Sequence, residues 1–323
     1  MINNKIDVYS HMTYEMKKVL EIQEQKTKEA SNIKPDLKSI REEYEEERKF
    51  WNEDAPELFK VFDKTVPGPY GNISLRFYYP NNQDINNCTI FIHGGGFILG
   101  SSNTHDKTIR NLAKHSNSVT VSIDYKLSPE YKFPIAIKES AAVVEYLRQN
   151  SNEYKINGNS ISFAGDSAGA NLCLGTTLFL RDELKDISFI KSLILYYGLY
   201  GLKDSTSRRV LGGSWDGLSK EDLKYYETSY LNNEEESNHP YYDCLNADLS
   251  YDIPPVYLAV AELDPLKDDS FALKEILKKH NIICELDEFK GVLHSFLHYS
   301  KIVPEAEQAI IAGSDFLKKH TNK

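Results

Sequence analysis

Two stretches of the chain carry residue types that could do chemistry together. Gly165-Asp166-Ser167-Ala168-Gly169 follows an apolar run at 160–164 and precedes a helical pattern that begins at 168. A G-x-S-x-G sequence between a strand and a helix makes a tight turn that lifts the serine hydroxyl off the sheet and leaves the next N–H exposed at a helix N-terminus. An acyl-transfer nucleophile needs that placement, although a serine that merely caps the helix would share the local sequence. Upstream, His93-Gly94-Gly95-Gly96-Phe97 ends an earlier apolar run at 88–92. Gly95 and Gly96 lack side chains and can turn their N–H groups toward one point. With the N–H of Ala168 they would form a set of donors for a carbonyl oxygen gaining charge. His93 and Gly94 support that motif, while Phe97 and the later Trp215 are candidates for a substrate pocket near its mouth. The same glycines also allow a dinucleotide loop, since Gly94, Gly96 and Gly100 follow a strand and the next strand ends near Asp124. Two details oppose it. Leu99 stands where the third glycine belongs, and 97–103 separate the loop from a helix expected to be capped by Thr104, so no helix N-terminus would face a pyrophosphate.

A serine nucleophile on such an elbow needs a base and an orienting acid, which follow in the order serine, acid, histidine, each after a later strand. Asp264 follows the apolar run 256–261, and His294 follows the strand pattern at 282–289. Asp264 also precedes Pro265 and would cap the helix expected at 265–279; the two roles are compatible. His294 and His298 have the four-residue spacing of metal ligands on a helix, but the glutamate of an H-E-x-x-H site is missing and no metal is expected. His93, His105 and His115 come too early in the chain to be the base.

The elements that must position these residues alternate. Strand patterns at 73–79, 88–92, 118–123, 160–164, 193–197, 256–261 and 282–289 interleave with helical ones at 134–149, 168–181, 265–279 and 304–319. Such an order predicts an α/β fold with a mostly parallel central sheet and helices on both faces. The interruption is 198–254, rich in Tyr, Gly, Asn and charge, with a helical pattern only at 220–231. Residues 11–50 are charged and helix-favouring, and their acidic run at 41–49 reads as a solvated face. These two stretches are expected to form a lid. The expected organisation is an N-terminal helical cap segment (1–58), a first core part (59–197), a cap insertion (198–254) and a second core part (255–323).

Taken together, the motifs resemble those of the hormone-sensitive-lipase-like branch of the α/β-hydrolases, and most closely the bacterial acetyl esterases, over nearly the whole chain. The likeness rests on His93 to Phe97, on Tyr125 with Pro129-Glu130 and Phe133-Pro134, and on Gly165 to Gly169. It extends to Asp264-Pro265-Leu266-Lys267-Asp268 and Leu293-His294-Ser295-Phe296. Fainter matches to the acetyl esterases are Phe50-Trp51-Asn52, Tyr197-Gly198-Leu199-Tyr200-Gly201, and Gly213 with Trp215-Asp216-Gly217. Ala170 departs from the pattern, where many members carry another glycine, but it lies past the turn. The resemblance implies an α/β-hydrolase fold with a helical cap and hydrolysis of acetyl esters, and it permits a monomer or homodimer; the Tyr and Trp of the lid, with Trp215 and Phe97, suggest a compact aromatic pocket suited to acetyl to butyryl esters, and no cofactor is needed.

Composition narrows the alternatives. The 323 residues carry 38 basic and 48 acidic side chains, a formal charge of −10. Without a basic cluster, neither nucleic acid nor an anionic membrane is an expected partner. The opening Met1-Ile2-Asn3-Asn4-Lys5 shows no export pattern, and the four cysteines are too sparse for a disulfide framework, so a cytoplasmic location is expected. A hydrolase fold kept for ligand binding or regulation, with vestigial esterase activity, stays open at this stage. A nicotinamide-dependent oxidoreductase also stays open, as do amidase, thioesterase and acyltransferase activities, which share the serine machinery.

Overall fold

The computed structural model describes residues 5–28, 36–213, 215 and 217–321. Met1 to Asn4 of the opening stretch and Asp216 of the Trp215-Asp216-Gly217 motif lie outside them. Three helices come first, α1 (Val8–His11), α2 (Tyr14–Lys28) and α3 (Leu37–Asn52), followed by the strands β1 (Lys60–Gly68), β2 (Gly71–Tyr79) and β3 (Asn86–Ile92). Helices and strands then alternate as α4 (Asp106–Ser116), β4 (Val119–Asp124), α5 (Ile135–Gln149), β5 (Ile156–Asp166), α6 (Ala168–Leu184) and β6 (Ile190–Tyr196). The next helices are α7 (Thr206–Val210) and α8 (Lys220–Tyr230), and among the described residues no strand lies between β6 and β7 (Val256–Ala261). The chain closes with α9 (Lys267–Lys279), β8 (Cys284–Phe289) and α10 (Pro304–Thr321).

The sheet order is β1-β2-β4-β3-β5-β6-β7-β8, with β1–β2 and β2–β4 paired antiparallel and every pair from β4 to β8 parallel. Apolar faces explain the layering. Ile137 and Val144 of α5, Leu172 and Leu178 of α6 and Leu273 of α9 pack in one core cluster. Ile109 of α4 and Ile310 and Leu317 of α10 pack with Met16 and Trp51 of the N-terminal helices in the other. Each such side chain gains about 1.5–3 kcal/mol by leaving water, which makes the sheet a stiff platform. Because β4 and β5 lie on opposite sides of β3, the strand order reverses there. A crevice opens at the carboxyl ends of β3 and β5, where ligands bind in open α/β sheets.

Three expectations need correction. The sequence reading has no strand at 60–68. β1 is an edge strand with one buried residue, Val66, and it contains Pro67, so it lacks the apolar alternation that marks a strand. Thr104 does not cap α4: His105 holds the N-cap position without a side-chain capping bond, and the Thr104 hydroxyl bonds to the backbone of Ser101 and to His105 Nδ1. The acidic run at 41–49 is also more than a solvated face. Arg48 and Trp51 of α3 are buried, and Arg41 donates to the carbonyls of Ile98 and Ser128, both at 2.8 Å. Thus α3 lies across the loop that follows β3.

Candidate active site

The elbow between β5 and α6 forms because two glycines let backbones approach closely. A Cβ on Gly169 would stand 2.0 Å from the carbonyl oxygen of Ile92, and one on Gly165 would stand 2.7 Å from that same oxygen. The turn leaves Ser167 at φ +52°, a left-handed conformation rare for a residue with a side chain, held by its N–H bond to Tyr196 O at 2.9 Å. Gly169→Ala is therefore expected to destabilise the fold by about 3 kcal/mol, since the opposing atoms are backbone and cannot swing aside. Chemical denaturation checks this, and an unchanged midpoint would contradict it.

His294 arrives in the loop after β8 and Asp264 in the loop after β7. His294 Nε2 lies 2.8 Å from Ser167 Oγ, and its Nδ1 lies 2.7 Å from Asp264 Oδ2. With the carboxylate accepting from Nδ1–H, Nε2 is left to accept from the serine hydroxyl. Asp264 is fully buried, and its Oδ1 accepts from the N–H of Leu266 at 2.7 Å, so it steadies the entrance to α9 even though Leu266 holds the N-cap position itself. Tyr197 stands edge-on to the imidazole, with centroids 4.9 Å apart. The three predicted residues thus meet in one line.

The glycine loop after β3 is braced from beneath. Asp166, the residue before the serine, accepts from Gly94 N–H at 2.9 Å, and the Tyr125 hydroxyl donates to His93 O at 3.0 Å. Gly95 (φ +115°) and Gly96 (φ +60°) take conformations open to glycine, and the Gly95 carbonyl accepts from both Ile98 and Leu99 N–H. Burial works to raise the Asp166 carboxyl, but adjacent His105 and the Gly94 amide outweigh it and hold the group below its usual range. His93 is fully buried, and burial together with His105 pushes it down to about 4. His298 lies well below its usual value through burial and the charge of Arg48. His298 does not converge with His294; its ring stands edge-on to His105 at 4.4 Å. Among the described residues, His105, Asp166 and His298 form the one group whose donor atoms could hold a metal, all within 4.8 Å. Asp166 there already accepts from Gly94, and its second oxygen faces the Tyr197 hydroxyl at 3.4 Å. Asp166 is the member of this group that braces the loop, and His105 Nε2 stands 3.2 Å from its Oδ1.

A cavity of about 1160 Å³ opens above the serine. Ser167, His294, Gly95 and Gly96 line it together with Arg48 of α3 and Tyr226 of α8. Trp215 lines it with 40% of its surface exposed. Phe97 lines it too, but its ring is buried and stacked on Tyr230, so it is a support rather than an open wall. At about 1160 Å³ this cavity is larger than the compact pocket expected.

The pattern of the α/β-hydrolase fold family matches residues 89–298. The acetyl esterase of Salmonella agona (strain SL483) is 44% identical over 97% of this chain and 96% of its own. The chain belongs to the α/β-hydrolase family. Solved structures agree: the hyperthermophilic esterase of the archaeon Pyrobaculum calidifontis superposes with a TM-score of 0.88 at 29% identity, covering 96% of this chain and 98% of that one. A fungal esterase of Rhizomucor miehei gives 0.87 at 29%, covering 97% and 98%. This α/β-hydrolase is a serine carboxylic-ester hydrolase of the hormone-sensitive-lipase-like branch. No helix among the described residues is long and apolar enough to cross a membrane. The dinucleotide alternative falls, since the glycine loop leads into an esterase crevice and α4 opens only at Asp106.

Several residues of the hydrolase site escaped sequence reasoning. Asp166 fills a variable position of G-x-S-x-G, and nothing in its type announces that it will hold Gly94. Arg48, Tyr226 and Tyr230 come from the stretches expected to form the lid, where side chains reach the site through tertiary packing that no local period encodes.

Proposed function

We propose that the protein hydrolyses short-chain acyl esters, acetyl to butyryl, by two-step acyl transfer. His294 takes the proton of Ser167 as its oxygen attacks the ester carbonyl, then protonates the departing alcohol; water repeats the sequence on the acyl-enzyme. Asp264 fixes the imidazole tautomer and stabilises its charged form. The N–H groups of Gly95, Gly96 and Ala168 hold the oxyanion, Ala168 because it opens α6, where the first N–H groups have no intrahelical acceptor. The N-terminal helices and 198–254 act as a cap over this site.

The observation that carries the proposal is the hydrogen-bonded line from Ser167 through His294 to Asp264, 2.8 and 2.7 Å long, at the base of the cavity. The short-chain preference is supported by the acetyl esterase of Salmonella agona, 44% identical to this chain. All four cysteines stand as free thiols, three of them buried, which suits a cytoplasmic enzyme.

A series of p-nitrophenyl esters tests the proposal. We expect kcat/KM to peak at acyl chains of about two to four carbons and to fall roughly tenfold or more by eight, since each misplaced methylene costs about 1–3 kcal/mol. A maximum at eight carbons or beyond overturns the short-chain assignment.

A further inference from the structure

The cap touches the oxyanion loop at two successive residues, through one face of one helix. A Cβ on Gly96 would stand 2.5 Å from Cδ1 of Tyr226 and 2.8 Å from its Cγ and Cε1, so the Tyr226 ring lies against the bare Cα of that glycine. One residue on, the Phe97 ring stacks on Tyr230, with centroids 3.8 Å apart and planes 4° from parallel. Tyr226 and Tyr230 are one turn apart on α8 and therefore share a face.

The far end of that helix is anchored to the core. The Tyr230 carbonyl accepts from Phe133 N–H at 2.8 Å, Asn232 donates to Phe133 O at 2.8 Å, and the Lys132 ammonium donates to Leu231 O at 2.7 Å. The near side of Tyr226 is steadied by its hydroxyl, which donates to Gly217 O at 3.3 Å. Meanwhile Gly96 (φ +60°) and Phe97 (φ +66°) both hold left-handed backbone, which for Phe97 is strained. Strained backbone persists where its surroundings over-determine it, and here the two tyrosine rings add to the bond from Ser128 N–H to Phe97 O at 2.9 Å and to the brace of Asp166 on Gly94.

We propose that Tyr226 and Tyr230 are positioning residues that clasp the glycine loop, so that the cap sets the aim of the Gly95 and Gly96 amides. This rests on the oxyanion assignment above. Neither ring needs to touch the reacting atoms. The clasp acts on kcat, because the amides are used fully only when the carbonyl oxygen becomes an oxyanion, and a donor misplaced by about 1 Å loses about 10²-fold in rate. The flat face of Tyr226 makes the contact, and its hydroxyl is secondary.

The experiment compares Tyr226→Ala with Tyr226→Phe on p-nitrophenyl acetate. Alongside it runs inhibition by a trifluoromethyl ketone, whose serine adduct places a negative oxygen in the hole. We expect Tyr226→Ala to lower kcat about 10- to 100-fold with KM within about threefold, and to raise the ketone Ki by the same factor as kcat falls. Tyr226→Phe should stay within about threefold of wild type in all three. An unchanged kcat, a change confined to KM, an unmoved ketone Ki, or equal damage from Tyr226→Phe overturns the clasp. Should Tyr226→Ala not fold, Tyr226→Leu keeps bulk without the flat face and carries the same comparison. Stoichiometric labelling by a fluorophosphonate keeps the two readings apart: wild type that is not labelled at Ser167 sinks the functional proposal, whereas labelled wild type with an unaffected Tyr226→Ala sinks the clasp alone. Double substitution adds a second check. Gly96→Ala drives a Cβ into the ring, so it should cost less in the Tyr226→Ala background than in wild type; equal factors in the two backgrounds contradict contact between them.

Discussion

Ser167→Ala is expected to lower kcat on p-nitrophenyl acetate by about 10⁶-fold, the loss seen when a serine acting as one unit with its base is removed. It should leave the fold intact. Of the side-chain bonds at this position, the one to His294 Nε2, 2.8 Å long, is the bond deleted. The serine does not cap α6 with its side chain, so the capping role that its sequence position allows is not used, and no helix stability is lost with the hydroxyl. Alanine also keeps the Cβ, so the left-handed φ of +52° is neither relieved nor worsened. A melting temperature within about 2 °C of wild type, loss of turnover and loss of fluorophosphonate labelling form the expected set. Turnover near the wild-type rate would remove Ser167 from the mechanism, and with it the proposed acyl-enzyme.

The line of three side chains was legible because each member follows a strand whose pattern shows in the sequence, an apolar run in β5 and β7 and an alternation in β8. β5, β7 and β8 end at Asp166, Ala261 and Phe289, and the serine, acid and base sit just past those ends. Two of these strands lie buried in a parallel sheet: β7 is apolar throughout, and β5 ends in a long buried run. β1 left no such mark because it stands at the edge with most of its side chains turned to water. The periodicity of α3 and α8 marks them as helices but not as walls of the cavity. Nothing in the periodicity of 41–49 says that Arg48 alone among its charged neighbours will be buried, because besides Tyr44 one turn back, 4.6 Å from the guanidinium, it packs on Tyr299, which is remote in sequence and whose ring lies 5.5 Å away. Tyr226 and Tyr230 pose the same problem. Their four-residue spacing reads as an amphipathic face, and which loop that face covers is fixed only when α8 docks beside Phe133.

Asp264→Asn is expected to lower kcat by about 10⁴-fold with little change in stability. The carboxylate has two jobs on two oxygens: Oδ2 accepts from His294 Nδ1, and Oδ1 accepts from Leu266 N–H, each at 2.7 Å. An amide has only one acceptor atom. The Leu266 N–H is backbone and cannot become an acceptor, so the asparagine oxygen goes to it and the NH₂ group faces His294. The imidazole must then present Nδ1 as a lone pair and carry its proton on Nε2. In that tautomer Nε2 points a hydrogen at Ser167 and can no longer take the hydroxyl proton. The flipped amide would restore the tautomer but set NH₂ against the Leu266 N–H in a fully buried site, leaving both donors unpaired at about 1–3 kcal/mol. Activity and stability therefore separate the two arrangements. A large fall in kcat with an unshifted melting temperature marks the first, and retained activity with a lowered melting temperature the second. Full activity with full stability would mean that Asp264 orients nothing, and that its only part in the molecule is to start α9.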